Sequence, residues 1–274
     1  MSPPDSLKPA VEAIGLELGT RRLSYDEDDA ILYALAVGAA AADLDLVFER
    51  DLRVLPTFGL TRALWALDEL GGLGFFSSVN ALHAGQRLEV LEPLPPAGEL
   101  ELSGRVSAVW DKGSAALFEV EVRCRQFRSV ASVFAPGQGG WGGERGPSAR
   151  RDPERPPSRR TSVRTAPDQA ALYRLTGDKH LIHVDPAAAE AIGVPRPILH
   201  GLCTLGLSVR ELAGLFGAHP ADLTALECRF LAPVLPGERL EVSAWDPAGA
   251  GDPVSFSVLS AGAVAIGGGS AAFG

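Results

Sequence analysis

Two short stretches decide the fold: PLPPAGELEL at Pro93–Leu102 and PVLPGERLEV at Pro233–Val242. Each runs Pro, Gly, acid and then alternating apolar residues, the pattern of a turn feeding a half-buried strand. Two near-copies about half a chain apart point to an internal repeat. Around the first copy, Leu88, Val90 and Leu91 precede the turn, and Glu99–Trp110, Ala115–Arg125 and Arg128–Phe134 follow it. These runs read as antiparallel strands joined by hairpins, with Asp111-Lys112-Gly113 as one of the turns. Around the second copy, strands are expected at Leu226–Leu231, Arg239–Trp245, Val254–Ser260 and Ala263–Phe273.

Helical signals precede the strands in both halves. Ser24 or Asp26 can cap a helix whose apolar positions include Ile31, Leu32, Leu35 and Ala36. Leu52–Leu70 carries a weaker amphipathic pattern around Leu60, Leu64, Trp65 and Leu67, which predicts a short helix. In the second half a long apolar helix is expected from Leu199 to Phe216. Repeated helix-then-strand order implies a duplicated α+β unit. The boundaries predicted are 1–136, a Gly/Pro/Arg-rich linker at 137–166, and 167–274. The linker holds seven arginines, from Arg145 to Arg164, interspersed with Glu144, Asp152 and Glu154, and reads as a solvated, mobile connector.

Composition narrows the function. The chain has 274 residues and a formal net charge of −9, which argues against a nucleic-acid surface. An anionic ligand would need local Lys or Arg to hold it. Cys124, Cys203 and Cys228 form no CxxC pair, so no zinc site or disulfide framework is expected. The N-terminus lacks a signal-peptide pattern, and the longest uncharged run, Ala30–Ala42, is too short to span a bilayer. The end, Ala-Ala-Phe-Gly, is not a Ser-Lys-Leu address. The expectation is a soluble cytoplasmic protein that binds neither nucleic acid nor membrane.

The chemistry concentrates between Ala171 and Leu212. Asp178 and His183 stand five positions apart in a segment that Pro186 keeps out of a helix. A carboxylate and an imidazole in one loop can share proton transfer. By spacing alone they serve equally well as a turn cap and a structural histidine. His200-Gly201 then opens the long helix, where unpaired N–H groups carry partial positive charge. A glycine there lets a carbonyl oxygen approach the backbone. Such a donor would stabilise a thioester enolate by about 3–4 kcal/mol.

The segments GDKHLIHVDP (Gly177–Pro186) and PILHGLCTLG (Pro197–Gly206) resemble the signature of MaoC-like hydratases, the (R)-specific 2-enoyl-CoA hydratases. YDEDDAILYALAVGA, LHAGQRLEVLEPLPPAGEL, DKGSAALFEVEV, GGWGGERG and RFLAPVLPGERLEV resemble, in order, the hydratase-2 domain of multifunctional enzymes. The resemblance implies a double hot dog fold, two repeats of antiparallel sheet wrapped on a helix, and a homodimer. It implies reversible hydration of a trans-2-enoyl-CoA to the (3R)-3-hydroxyacyl-CoA, with no metal and no cofactor beyond the coenzyme A of the substrate. Asp178 and His183 match the catalytic pair and Gly201 the glycine whose N–H holds the thioester oxygen. His83, Ala84, Lys112, Phe230 and the loop residues Lys179, His180, Leu181 and Ile182 match positions that contact the acyl-CoA. His180 replaces the family's asparagine and Leu181 its proline, and His180 is expected to act on Asp178 or on substrate fit. An acyl-CoA thioesterase or a non-catalytic acyl-CoA-binding protein of the same fold are the alternatives.

Overall fold

The computed structural model describes residues 7–77, 80–249 and 251–274. The first half runs β1 (Glu17–Tyr25), α1 (Glu27–Ala36), α2 (Leu44–Val47), α3 (Phe58–Ala63), α4 (Trp65–Gly72), β2 (Leu82–Val90), β3 (Gly98–Asp111), β4 (Ala115–Arg123) and β5 (Phe127–Pro136). The second half runs β6 (Arg159–Arg164), α5 (Gln169–Tyr173), α6 (Pro186–Ala191), α7 (Gly201–Phe216), β7 (Leu223–Phe230), β8 (Arg239–Trp245), β9 (Val254–Ser260) and β10 (Ala263–Phe273).

The ten strands form one antiparallel sheet in the order β1-β3-β4-β5-β2-β7-β10-β9-β8-β6. Read outward from the centre, each half repeats the other: β2 answers to β7, β5 to β10, β4 to β9, β3 to β8 and β1 to β6. The two near-copied turns lead into β3 and β8, which hold the same place in their halves. The halves join where β2 pairs with β7 from Gly85↔Arg229 to Glu89↔Ala225.

Helices pack against the sheet in both halves, α3 on β5, α4 on β4 and β1, and α7 on β6, β8 and β10. Asp26 and Asp29 form a reciprocal capping box at the start of α1, which satisfies orphan N–H groups there. In α7, buried Leu202, Leu205, Leu212 and Ala213 give the apolar face its helical period. Gly206 has a packing reason: a Cβ there would lie 2.6 Å from Val37 Cγ1 and 3.0 Å from Tyr33 Oη. The glycine lets α7 meet α1 at backbone distance, and any side chain would push the helices apart. The expected weak helix at Leu52–Leu70 is two short ones, α3 and α4, with Leu64 at the junction.

The predicted linker at 137–166 needs correction, because it contains β6. That strand is the outer edge of the second half, paired with β8 from Arg159↔Ala244 to Arg164↔Arg239. Its side chains are exposed or half-buried, so it carries little of the apolar alternation that marks a strand. The stretch before it, 137–158, is exposed or half-buried, as a solvated connector would be, but it is tethered. The Asp111 carboxylate accepts N–H groups of Gly113, Gly140 and Gly142 at 2.8–2.9 Å and of Gly143 at 3.3 Å. Further along, Asp152 accepts the Gly268 N–H at 2.7 Å, Arg150 donates to Ser255 Oγ at 2.7 Å, and the Arg155 carbonyl accepts from Trp245 at 2.7 Å. The segment is strapped to both halves because side chains satisfy its backbone.

Candidate active site

The loop between α5 and α6 carries Asp178 and His183. Gly177 opens it at φ 141°, a conformation that a Cβ disfavours. The Asp178 carboxylate accepts the His180 N–H at 3.1 Å. His180 Nδ1 accepts the Ile182 N–H at 3.4 Å and so caps a single 3₁₀ turn, Leu181–His183. That turn swings His183 inward, where it is 8% exposed, while Lys179, His180 and Leu181 face solvent.

His183 Nδ1 lies 2.9 Å from the Ile198 carbonyl. A carbonyl only accepts, so Nδ1 carries the proton and Nε2 is left with a free lone pair. Burial pushes the His183 pKa below the ordinary histidine value, against the opposing pull of Asp178. The imidazole is therefore neutral at neutral pH. Asp178, His183 and His200 each bring a donor atom within 4.8 Å of the others.

The two imidazoles of this group lie face to face. The His183 and His200 rings stack at 3.6 Å with 24° between planes. One nitrogen of each ring already lies against a carbonyl, Ile198 for His183 and Asp178 for His200.

His200 is the N-cap of α7, and its side chain makes no capping bond. The first N–H groups of α7, Gly201's among them, are thus left for another acceptor. Above Gly201 stands Phe230: a Cβ at 201 would lie 3.2 Å from its ring. Phe230 meets His83 edge to face, with centroids 5.1 Å apart. Burial lowers the His83 pKa, while Gln86 and the Asp178 charge act in the other direction. Ala84 follows His83 at a register shift in β2. The site therefore straddles the β2–β7 seam, with Asp178, His183, Gly201 and Phe230 from one half and His83 and Ala84 from the other.

Lys112 is not part of this cluster. It sits at the turn joining β3 and β4, which stand three and two strands from β2. Its ammonium donates to the Arg145 carbonyl. Burial, and then Arg145, lower its pKa.

Two neighbours were not singled out from the sequence as site residues. His200 was legible only as the residue before the helix-opening glycine, and nothing marked it as a ring stacked on His183. Asp68 on α4 had no signal at all. Burial raises its pKa first and the Asp178 charge second, while His180 opposes. Asp68 also lines an open groove of about 470 Å³ with Arg21, Trp65, Glu69, Gly72 and Leu73.

A duplicated hot dog sheet with an Asp/His pair at a glycine-opened helix defines the class of protein, and comparison with known proteins then gives the family. The profile of the MFE-2 hydratase 2 N-terminal domain matches residues 23–136, and that of the MaoC like domain matches residues 148–250. The chain is 36% identical over 251 residues to the enoyl-CoA hydratase ChsH3 of Mycobacterium tuberculosis, covering 85% of this chain and 87% of that one. It is 38% identical over 255 residues to mouse peroxisomal multifunctional enzyme type 2, of which it spans 35%. A crystal structure of a MaoC-like dehydratase from Phytophthora capsici superposes with a TM-score of 0.86 at 28% identity, over 96% of this chain and 97% of that one. A Mycobacterium tuberculosis protein described as having a double hotdog fold superposes at 0.61 and 14% identity, a likeness of fold alone. The chain belongs to the MaoC-like hydratase family, in its hydratase 2 branch.

Proposed function

We propose that the protein reversibly hydrates trans-2-enoyl-CoA thioesters to (3R)-3-hydroxyacyl-CoA. The observation that carries this reading is a His183 whose Nδ1 is spent on the Ile198 carbonyl, grouped within 4.8 Å of Asp178 and stacked on His200 at the glycine-opened start of α7. A water held between Asp178 and His183 loses a proton to the pair as its oxygen bonds to C3. The π electrons of the C2=C3 bond move toward C2 and the thioester oxygen, where the Gly201 N–H meets the developing charge. The proton taken from the water is returned to C2, so one water is added and nothing is oxidised. Phe230 and His83 wall the reacting carbons. Lys112, far from the proton pair, suits a phosphate at the other end of the long coenzyme.

No step of this reading needs a metal or redox group. A cytoplasmic setting accords with three free cysteines, since reduced thiols suit a reducing compartment. No helix among the described residues is long and apolar enough to cross a membrane. We propose a homodimer on family likeness, to be checked by light scattering.

Purified protein given crotonyl-CoA or a longer enoyl-CoA should bleach the conjugated thioester absorbance and yield the (3R) product on chiral analysis. Dialysis against a chelator should leave the rate unchanged. Asp178→Asn and His183→Ala should each lower kcat by about 10²–10⁴-fold. Release of free thiol would instead mean thioester hydrolysis and would overturn the reading, as would parental rates in both variants.

A further inference from the structure

We propose that His200 is the positioning residue of this site: its ring binds the acid loop, the reactive imidazole and the α7 N-terminus into one rigid unit. The proposal rests on the hydration reading above and names a residue that acts through His183. Three contacts carry it. One ring face of His200 stacks on His183 at 3.6 Å. Its Nε2 lies 3.3 Å from the Asp178 carbonyl, so Nε2–H donates there. Its backbone adjoins Gly201, so the same residue fixes where the thioester oxygen would be received.

The burial of His200 is unusual for a polar ring. It is 1% exposed, and Nδ1 has no hydrogen-bond partner among the described residues. Tyr173 packs on it with centroids 4.8 Å apart. A buried polar atom without a partner costs roughly 1–3 kcal/mol, and an isosteric apolar ring would avoid that cost. The hydrogen bond to the Asp178 carbonyl is what phenylalanine could not supply. The stack is what a smaller amide could not supply.

Burial first, and then His183 and Arg174, lower the His200 pKa, so the ring is neutral where the enzyme works. The titratable groups facing the His183–His200 stack are Asp178 and His180 on the loop, Tyr173 at the end of α5 and Arg174 just after it. Asp68 on α4 stands behind Asp178. A neutral ring on the His183 face excludes water and keeps His183 itself neutral.

The test compares two substitutions. His200→Asn removes the stack, and His200→Phe keeps the stack but loses the donor. His200→Asn should lower kcat by about ten- to a hundredfold through misplacement of the pair, with KM nearly unchanged. It should also move the acid limb of the kcat/KM profile upward, because water reaches His183. His200→Phe should return that limb to its parental position while kcat stays low. Equal melting losses in both variants, with parental acid limbs, would show a merely structural histidine and overturn the proposal. Nitrogen-15 histidine spectra of the parent protein give a reading that needs no variant. His183 should be protonated at Nδ1 and His200 at Nε2, and an ordinary titration of His200 would overturn the inference. Asp178→Asn separates the two proposals. If it abolishes hydration while His200→Asn changes nothing, only the role of His200 fails.

Discussion

At the scale of single residues, the departures from the family pattern have a local explanation. His180 stands where asparagine is usual, yet its Nδ1 accepts the Ile182 N–H. An asparagine oxygen can accept a backbone N–H two residues on in the same way. His180 is exposed and therefore free to vary as long as it caps the turn. His180→Asn should leave melting within about 0.5 kcal/mol of the parent and retain hydration, as thermal denaturation and the absorbance assay would show. A loss of activity comparable to that of Asp178→Asn would mean that the imidazole acts directly on substrate. Asp178, His183 and Gly201 stood out in the sequence through their resemblance to the hydratase signature, since spacing alone left the pair equally suited to a turn cap and a structural histidine. His200 and Asp68 did not, because their roles arise only from what folds against them.

At the scale of elements, the segment between the halves is held by one carboxylate. Hydrogen bonds from Gly140 and Gly113 foremost hold the Asp111 carboxyl down at about 2. The loop they anchor ends at Arg145, whose carbonyl accepts the Lys112 ammonium. Asp111→Asn replaces acceptor oxygen with a donor group facing other donors. Trypsin should then cut after Arg145 faster than in the parent, and KM for acyl-CoA should rise with kcat unchanged, the mark of lost uniform binding. An unchanged cleavage rate would show that the other tethers suffice. The strands β8, β9 and β10 and the helix α7 were readable from their periods. β6 was not, since an exposed edge strand does not need an apolar face.

At the scale of the whole molecule, the burial that builds the site also makes the fold acid-sensitive. The pKa values of His83, His183 and His200 are all lowered, with burial the largest cause in each. Such groups bind fewer protons folded than unfolded, so stability falls as pH drops below about 6.5, the unfolded histidine value. Each adds a slope of at most about 1.4 kcal/mol per pH unit between its folded and unfolded values. Asp68, with a raised carboxyl pKa, works in the opposite direction and in a lower window. Melting temperature should therefore decline from pH 7 to pH 5, and less steeply in His200→Phe. A flat profile over that range would mean that these histidines titrate normally in the fold.

The sequence by itself determined the repeat and most of the strands that follow the helices in each half, because turns and periods are local and survive in one dimension; the strands that open each half, β1 and β6, were not read from it. Only the tertiary structure decided that the two repeats join edge to edge along β2 and β7, and that the linker ends in a strand. It alone placed His83 from one half against Phe230 from the other. Those outcomes depend on which surfaces meet after folding, and contacts between residues so far apart along the chain leave no periodic trace in it.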